Sequence, residues 1–233
     1  MPGFKQYQAL LRGKAGLEIG GPSSLFVRDL PIYRAIKSLD GVNFSSSTVW
    51  EGQIVDGAPF RYLGRRAGRQ FILDATDLSR LPAESYDVVL SSNNLEHVAN
   101  PFKALDEWLR VLRPGGHFLL VLPRKESNFD HRRPVTQFDH LLEDHVRGTT
   151  EHDLTHLDEI LALHDYGRDP LAGGPEAMRV RSLANFENRC LHHHVFDAAL
   201  IEQMLRHFQL EPLVSHATTL NYIALARKRG TET

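Results

Sequence analysis

The chain has 233 residues, 42% of them hydrophobic and 24% charged, with a formal net charge of −2, a profile that suits a globular protein with one sizeable core. That balance gives no electrostatic footprint for nucleic acid or an anionic membrane as a main partner. Cys190 is the single cysteine, which excludes an internal disulfide and fits a reducing compartment; with no signal-peptide core in residues 1–16 and no membrane-spanning run, a cytoplasmic location is expected.

From the amino end, Phe4 to Leu11 can form a short helix closed by Gly13, and "GLEIG" then reads as a strand entering a glycine turn. Strand character returns over Ala35 to Ser45, rising towards Val42 and Phe44, and again from Gln70 to Leu73, ending at Asp74. "YDVVLSS", Tyr86 to Ser92, is almost continuously apolar, as expected for a strand covered on both faces. The clearest helix follows. Asn100 caps it, Pro101 suits its first turn, and Leu105, Trp108, Leu109 and Leu112 recur at i, i+3, i+4 and i+7 before "RPGG" stops it. "HFLLVLP" is the next buried strand.

After Pro123 the rhythm breaks. Residues 124–194 are polar, interrupted by "DHRRP" and "DPLAGGP", and hold nine of the 13 histidines. Two short helices are expected there, Phe138 to Val146 and Leu154 to Asp165. Alternation resumes with a helix capped by Asp197, bearing Ile201, Met204, Leu205 and Phe208 on one face, then strands at Leu210 to Val214 and Leu220 to Arg227. This order predicts a doubly wound, Rossmann-like α/β fold. Its mostly parallel sheet is closed by an antiparallel strand pair, in one unit spanning 1–233 with a His-rich helical insertion at 124–194.

Ligands on such sheets sit at the carboxyl ends of the strands, near the switch in strand order, which puts the expected cleft at the glycine turn. Phosphate cradling fits poorly: neither G-x-x-x-x-G-K-[ST] nor G-x-G-x-x-G is present, and Pro22 removes a backbone donor. Close packing of strand and turn explains Gly20 and Gly21 without any ligand.

"LEIGG", "LDATDLSRLP", "YDVVLSSNNLEHVANP" and "EWLRVLRPGGHFLLVLP" follow in this order, and together they resemble the class I S-adenosylmethionine-dependent methyltransferases. The likeness covers residues 15–123 and, by topology, the last part of the chain. It implies that Gly20 and Gly21 let the backbone pack on the methionine half of the cofactor, while Glu18 organises its amino group. It implies Asn43, with Asp40 as the other candidate, for the ribose hydroxyls. Asp74, with the backbone of Ala75 and Thr76, would read the adenine amino edge, and Ser92 and Asn93 would line the methyl-transfer path. Two departures stand out: "PSS" replaces the third motif glycine, and the ribose acid is an asparagine.

Transfer to a hydroxyl or amine also requires removal of a proton, for which histidine is the natural base near neutral pH. The catalytic candidates are His131, oriented by Asp130 or Asp139, and His97 of "LEHV". On the acceptor side stand Arg132 and Arg133, suited to an anionic group, together with His140 and His193. His145 and His164 fall on apolar helix faces and read as packed core residues. A divalent metal is the other way to activate an acceptor. His152 and His156, at i and i+4, would supply two ligands, with His131, His140 or one of the 192–194 histidines as a third. The expected function is methyl transfer from S-adenosylmethionine to an oxygen or nitrogen of a small polar acceptor (a metabolite, sugar or natural-product intermediate). The alternatives are a metal-dependent enzyme of another class built on the His-rich insertion, or a non-catalytic cofactor-binding module.

Overall fold

The computed structural model describes residues 4–230, so the extreme ends of the expected 1–233 unit lie outside the described residues. In chain order the strands are β1 (Ala15–Ile19), β2 (Ser38–Asn43), β3 (Ser47–Thr48), β4 (Gly52–Gln53) and β5 (Pro59–Leu63). They continue with β6 (Arg66–Ile72), β7 (Tyr86–Ser92), β8 (Leu112–Pro123), β9 (Leu210–Ala217) and β10 (Asn221–Lys228). The helices are α1 (Phe4–Leu11), α2 (Pro101–Val111), α3 (Phe138–Arg147), α4 (Leu157–Leu163), α5 (Pro175–Leu183), α6 (Asn185–Asn188) and α7 (Ala198–His207).

Eight strands form one sheet in the order β5-β6-β2-β1-β7-β8-β10-β9. The run from β6 to β8 is parallel, whereas β10 is antiparallel to both β8 and β9. From β1 the chain steps outward through β2 to β6, then returns to the opposite side of β1 as β7. The switch therefore falls between β1 and β7, and their carboxyl ends, at Ile19 and Ser92, open into the same crevice.

The central strands are buried on both faces, which explains their unbroken apolar runs. Leu17, Val89, Phe118, Leu120 and Leu122 face a core completed by Trp108 and Leu105 of α2 and by Met204 and Leu205 of α7. Val88, Leu90, Leu119, Val121 and Leu225 face the other, completed by Tyr7, Phe26, Ile32 and Tyr33. Both long helices start where their caps predict: Asn100 Oδ1 accepts the Lys103 N–H at 3.0 Å, and Asp197 Oδ1 that of Leu200 at 2.7 Å.

The structure departs from the expected pattern on the β2 side. No α-helix links β1 to β2; Ser24–Phe26 and Ile32–Arg34 are short 3₁₀ turns, because Pro22 and Pro31 interrupt any longer helix. The link from β2 to β6 carries the β3–β4 hairpin and β5, which pairs antiparallel with β6. That pairing extends β6 back to Arg66. "RPGG" belongs to β8 as a bulge: Tyr86 pairs with Leu112 and Val88 with His117, while Gly115 takes φ 73°. Helix α4 is shorter than expected, with His156 at its N-cap position. The segment from 124 to 194 contains α3 to α6 and has its own small core of Leu157, Ile160, Ala172, Met178 and Leu191. Among the described residues, no helix is long and apolar enough to cross a membrane.

Candidate active site

A cleft of about 430 Å³ lies over the carboxyl ends of β1, β2 and β7, within the size range of small-molecule sites. Beneath the glycine turn that borders it lies Glu18, which is completely buried. The carboxylate accepts the Ser23 N–H at 3.0 Å and the Tyr33 hydroxyl at 2.6 Å, folding the Gly20–Ser24 turn over itself. Burial lifts the Glu18 carboxyl to about 7, although both hydrogen bonds act to lower it. Gly20 has φ +79°, and a Cβ there would stand 2.4 Å from the Asn94 amide. A Cβ on Gly21 would meet the Glu18 carboxyl carbon at 2.2 Å. The two glycines are thus required by protein contacts, and Gly20 also lines the cleft.

Asn43 lies in the cleft wall and donates from Nδ2 to Gly21 O at 2.9 Å, so its amide oxygen is what it can offer a ligand. Asp40 faces elsewhere, accepting the Arg69 N–H at 2.8 Å and the Tyr86 hydroxyl at 3.0 Å. Beside Asn43 the turn of the β3–β4 hairpin brings Trp50 and Glu51 into the wall with Phe44. Partial burial pushes the Glu51 carboxyl up from its ordinary value. Ala75 lines the opposite side, its carbonyl taken by Trp108 Nε1 at 2.9 Å.

The end of β7 supplies Ser92, Asn93 and Asn94, followed by a 3₁₀ turn (Leu95–His97) that carries Glu96 and His97. His97 is half-buried, stands edge-on to Trp50 with ring centroids 5.2 Å apart, and has no partner for Nδ1 among the described residues. Burial, and then the neighbouring His192 and His193, hold its pKa well below the usual histidine value. His192 reaches the cleft from the insertion, 4.5 Å from His97 between ring centroids. Its Nδ1 lies 2.5 Å from Asp130 Oδ2, and Arg133 Nη1 donates to the other Asp130 oxygen at 3.1 Å. Burial pulls the His192 pKa down, but Asp130 and Glu96 outweigh it and the net shift is upward. His192 and Arg133 likewise hold Asp130 near 2 against its own burial. Glu96 is lifted to about 7 by burial, and its Oε2 has no partner among the described residues.

Residues 17–120 match the methyltransferase domain family. The fold is shared with S-adenosylmethionine-dependent methyltransferases from Mesorhizobium loti (TM-score 0.54, 13% identity, 97% of this chain and 96% of that one) and Methanosarcina mazei (0.53, 19%, 99% and 98%). Over residues 17–120, a little under half of the chain, this protein is therefore similar to methyltransferase domains. Two curated proteins match it over short stretches. A demethylmenaquinone methyltransferase from Clavibacter sepedonicus is 49% identical over 47 residues, 20% of this chain and 19% of that protein. An uncharacterized methyltransferase from Mycolicibacterium vanbaalenii is 64% identical over 33 residues, 14% and 13%. The matched stretches span less than a fifth of either relative.

Within the matched stretch, Gly20, Asn43, Ala75, Ser92, Asn93 and His97 converge on the cleft. Several expected site residues do not. Glu18 lies beneath the turn with both oxygens engaged and shapes it from below. Asp74 holds Thr76 through its N–H and hydroxyl, each at 2.8 Å, while its other oxygen accepts from Arg189 at 3.0 Å. Thr76 is not in the cleft wall, while Asp74 lines a small side pocket that shares Phe44, Trp50, Ala75, Asn94 and His97 with the cleft.

His131 is drawn away by Asp165, 2.8 Å from its Nε2, and the half-exposed Arg132 reaches the same carboxylate at 3.4 Å. Arg133 is 2% exposed and bonded to Glu159, Asp130 and the carbonyls of His192 and His193, which makes it an internal brace. His193 is buried against Asn185 and Glu151. His152 stacks on Phe186 at 4.0 Å, apart from His156, so the expected i, i+4 pair does not form. His156 instead meets His140, Nε2 to Nε2, at 2.9 Å, and this places His140 outside the cleft too. His164 is buried as expected, whereas His145 is exposed.

Asp130 and Arg133 were legible as polar residues of the insertion, but the cleft role of His192 was not. Its partner is 62 positions away, and no local periodicity links them. Trp50, Glu51 and Asn94 also escaped the sequence reading, since their hairpin and turn carry no strong pattern.

Proposed function

We propose that this chain transfers a methyl group from S-adenosylmethionine to an oxygen or nitrogen of a small polar acceptor, with His97 accepting the proton that the acceptor loses. The observation that carries the reading is His97 itself. It is an imidazole held neutral at the cleft wall beside Ser92 and Asn93, with Nδ1 unpartnered among the described residues.

The cleft also suits the cofactor. The glycine turn brings main chain to its surface, Asn94 Oδ1 is buried without a partner, and Phe44 and Trp50 offer aromatic faces favourable to a cation. Asn43 and Glu51 would hold the ribose hydroxyls, the hairpin carboxylate supplying the charge that the asparagine lacks. When bound, S-adenosylmethionine supplies the electrophilic methyl on a sulfonium. The chain's own work is then to orient the acceptor and to receive its proton at His97. His192, fixed by Asp130, together with Asn128 and Phe129, forms the wall contributed by the insertion, which we read as the cover of the acceptor side.

Asn93, Asn94, Glu96, His97 and Asn128 all line the cleft, which favours a small polar acceptor. A second reading rests on Glu96, His97 and His192, whose candidate ligand atoms lie within 4.8 Å of one another. A divalent cation there would lower the acceptor's pKa in place of the base. Calorimetry with S-adenosylmethionine, followed by turnover against an acceptor panel with and without chelator, tests both. Saturable cofactor binding with chelator-resistant turnover supports the base, chelator-sensitive turnover selects the cation, and lack of binding at millimolar cofactor removes the methyltransferase reading.

A further inference from the structure

Outside the cleft, the insertion gathers a second group of histidines. His140 and Asp144 sit one turn apart on α3, His156 stands at the amino end of α4, and His194 lies in the extended segment before α7. One ring nitrogen from each of His140, His156 and His194 lies within 4.8 Å of the others. His140 Nε2 is 2.9 Å from His156 Nε2 and 3.2 Å from Asp144 Oδ2, and His194 Nε2 is 3.6 Å from the same oxygen. None of the four residues lines the cofactor cleft.

Taken as a hydrogen-bonded cluster, this arrangement is poorly satisfied. Asp144 is 4% exposed, yet its Oδ2 has no hydrogen-bond partner among the described residues. Leaving a buried carboxylate oxygen unbonded is costly. Two imidazole nitrogens facing each other also require one of them to carry the proton. Around a tetrahedral zinc ion, with bonds of about 2.0–2.1 Å, ligand atoms stand roughly 3.3 Å apart. The 2.9 Å between His140 and His156, and the 4.8 Å within which all three imidazole nitrogens fall, lie on either side of that spacing.

We propose that His140, His156 and His194 form a site for a divalent cation of the zinc class, with Asp144 beside two of them. Three imidazoles are a ligand set that suits zinc, and the Asp144 carboxylate, 3.2 Å from His140 and 3.6 Å from His194, offsets the cation's charge. The surroundings are those of a built site. Asp144 Oδ1 accepts the Thr149 hydroxyl at 2.9 Å, which fixes the carboxylate, and Asn100 Nδ2 donates to the Asp144 carbonyl at 3.0 Å. On binding, His194 gives up the 3.3 Å contact between its Nε2 and Ala99 O, and its proton resides on Nδ1. The cation would staple α3, the start of α4 and the segment before α7 to the residue that caps α2.

The test uses the full chain, stripped with chelator and then titrated with Zn²⁺ against a chromogenic competitor, with metal content measured after gel filtration. One zinc per chain is expected, together with a rise in melting temperature and, on Co²⁺ substitution, the intense visible absorption of a tetrahedral site. His140→Ala and His156→Ala should lose the ion and the thermal shift, whereas His152→Ala and His97→Ala should keep both. Wild-type protein that retains no zinc against the competitor overturns the proposal whether or not the variants fold. Zinc kept by His140→Ala and His156→Ala but lost by His97→Ala overturns it as well, by moving the ion to the cleft.

Discussion

At the scale of single residues, the site depends on which polar atoms remain unspent once the fold has used the others. His97 keeps Nδ1 unpartnered among the described residues, whereas Asn43 has committed its amide nitrogen to Gly21 and retains its oxygen. The two residues therefore separate chemistry from binding. His97→Ala should lower kcat by roughly 10²–10⁴-fold, the usual span for a lost general base, while the calorimetric Kd for S-adenosylmethionine changes by less than about threefold. Equal loss of both would mean that the residue merely shapes the cleft. Because burial and its histidine neighbours keep His97 neutral, the wild-type rate should be level between pH 6 and 8 and fall only in more acidic buffer. Asn43→Ala should show the converse, weakening the cofactor by about five- to tenfold, as expected for one hydrogen bond of about 1–1.5 kcal/mol, with turnover at saturating cofactor nearly unchanged.

At the scale of elements, what was legible had a local cause. Helices α2 and α7 begin at caps encoded within four residues, and the strand ends at Ile19 and Ser92 are punctuated by glycine or asparagine. The motif-bearing strand ends consequently fell on the cleft. The insertion was not legible in the same way because its histidines are assigned by distant partners. Asp165 takes His131 across 34 positions and Asp130 takes His192 across 62, so the histidine expected in the cleft and the one found there exchange places. Asn100 couples the two regimes, capping α2 through Oδ1 and tying α3 through Nδ2. Asn100→Ala should cost about 2 kcal/mol in urea unfolding, roughly half from the cap and half from the buried bond. Asn100→Asp keeps the cap acceptor and removes the donor, so it should recover about half. If Asp matches the wild type, the tie to α3 contributes nothing.

For the whole molecule, buried ionisable groups set a pH optimum of stability. Glu18 and Glu96 are lifted from about 4.5 to about 7 by burial. Acids raised in this way contribute fully below their unfolded pKa, and that stability is lost as pH climbs through 7. His192, raised above its ordinary value chiefly by Asp130 against its burial, adds to the same alkaline loss above about 6.5. Opposing them, His97, His117 and His164 are lowered by burial, His117 to about 4. Each is neutral in the fold and gains a proton more readily when unfolded, so acidification below about 6.5 costs stability at each. Between pH 4.5 and 6.5 the lowered histidines, His156, His194 and His216 among them, outnumber the raised acids Glu18, Glu51 and Glu96; above 6.5 only the groups that lose stability with rising pH still titrate. The urea midpoint should therefore peak near pH 6.5 and decline towards both pH 5 and pH 8. Glu18→Gln, which cannot ionise, should flatten the alkaline decline and steepen the acid one, because it removes a group whose contribution falls across both intervals. A midpoint that rises steadily from pH 5 to 8 in the wild type would show that Glu18 and Glu96 ionise without penalty in the fold, and that the acid beneath the glycine turn is less shielded from water than its surroundings imply.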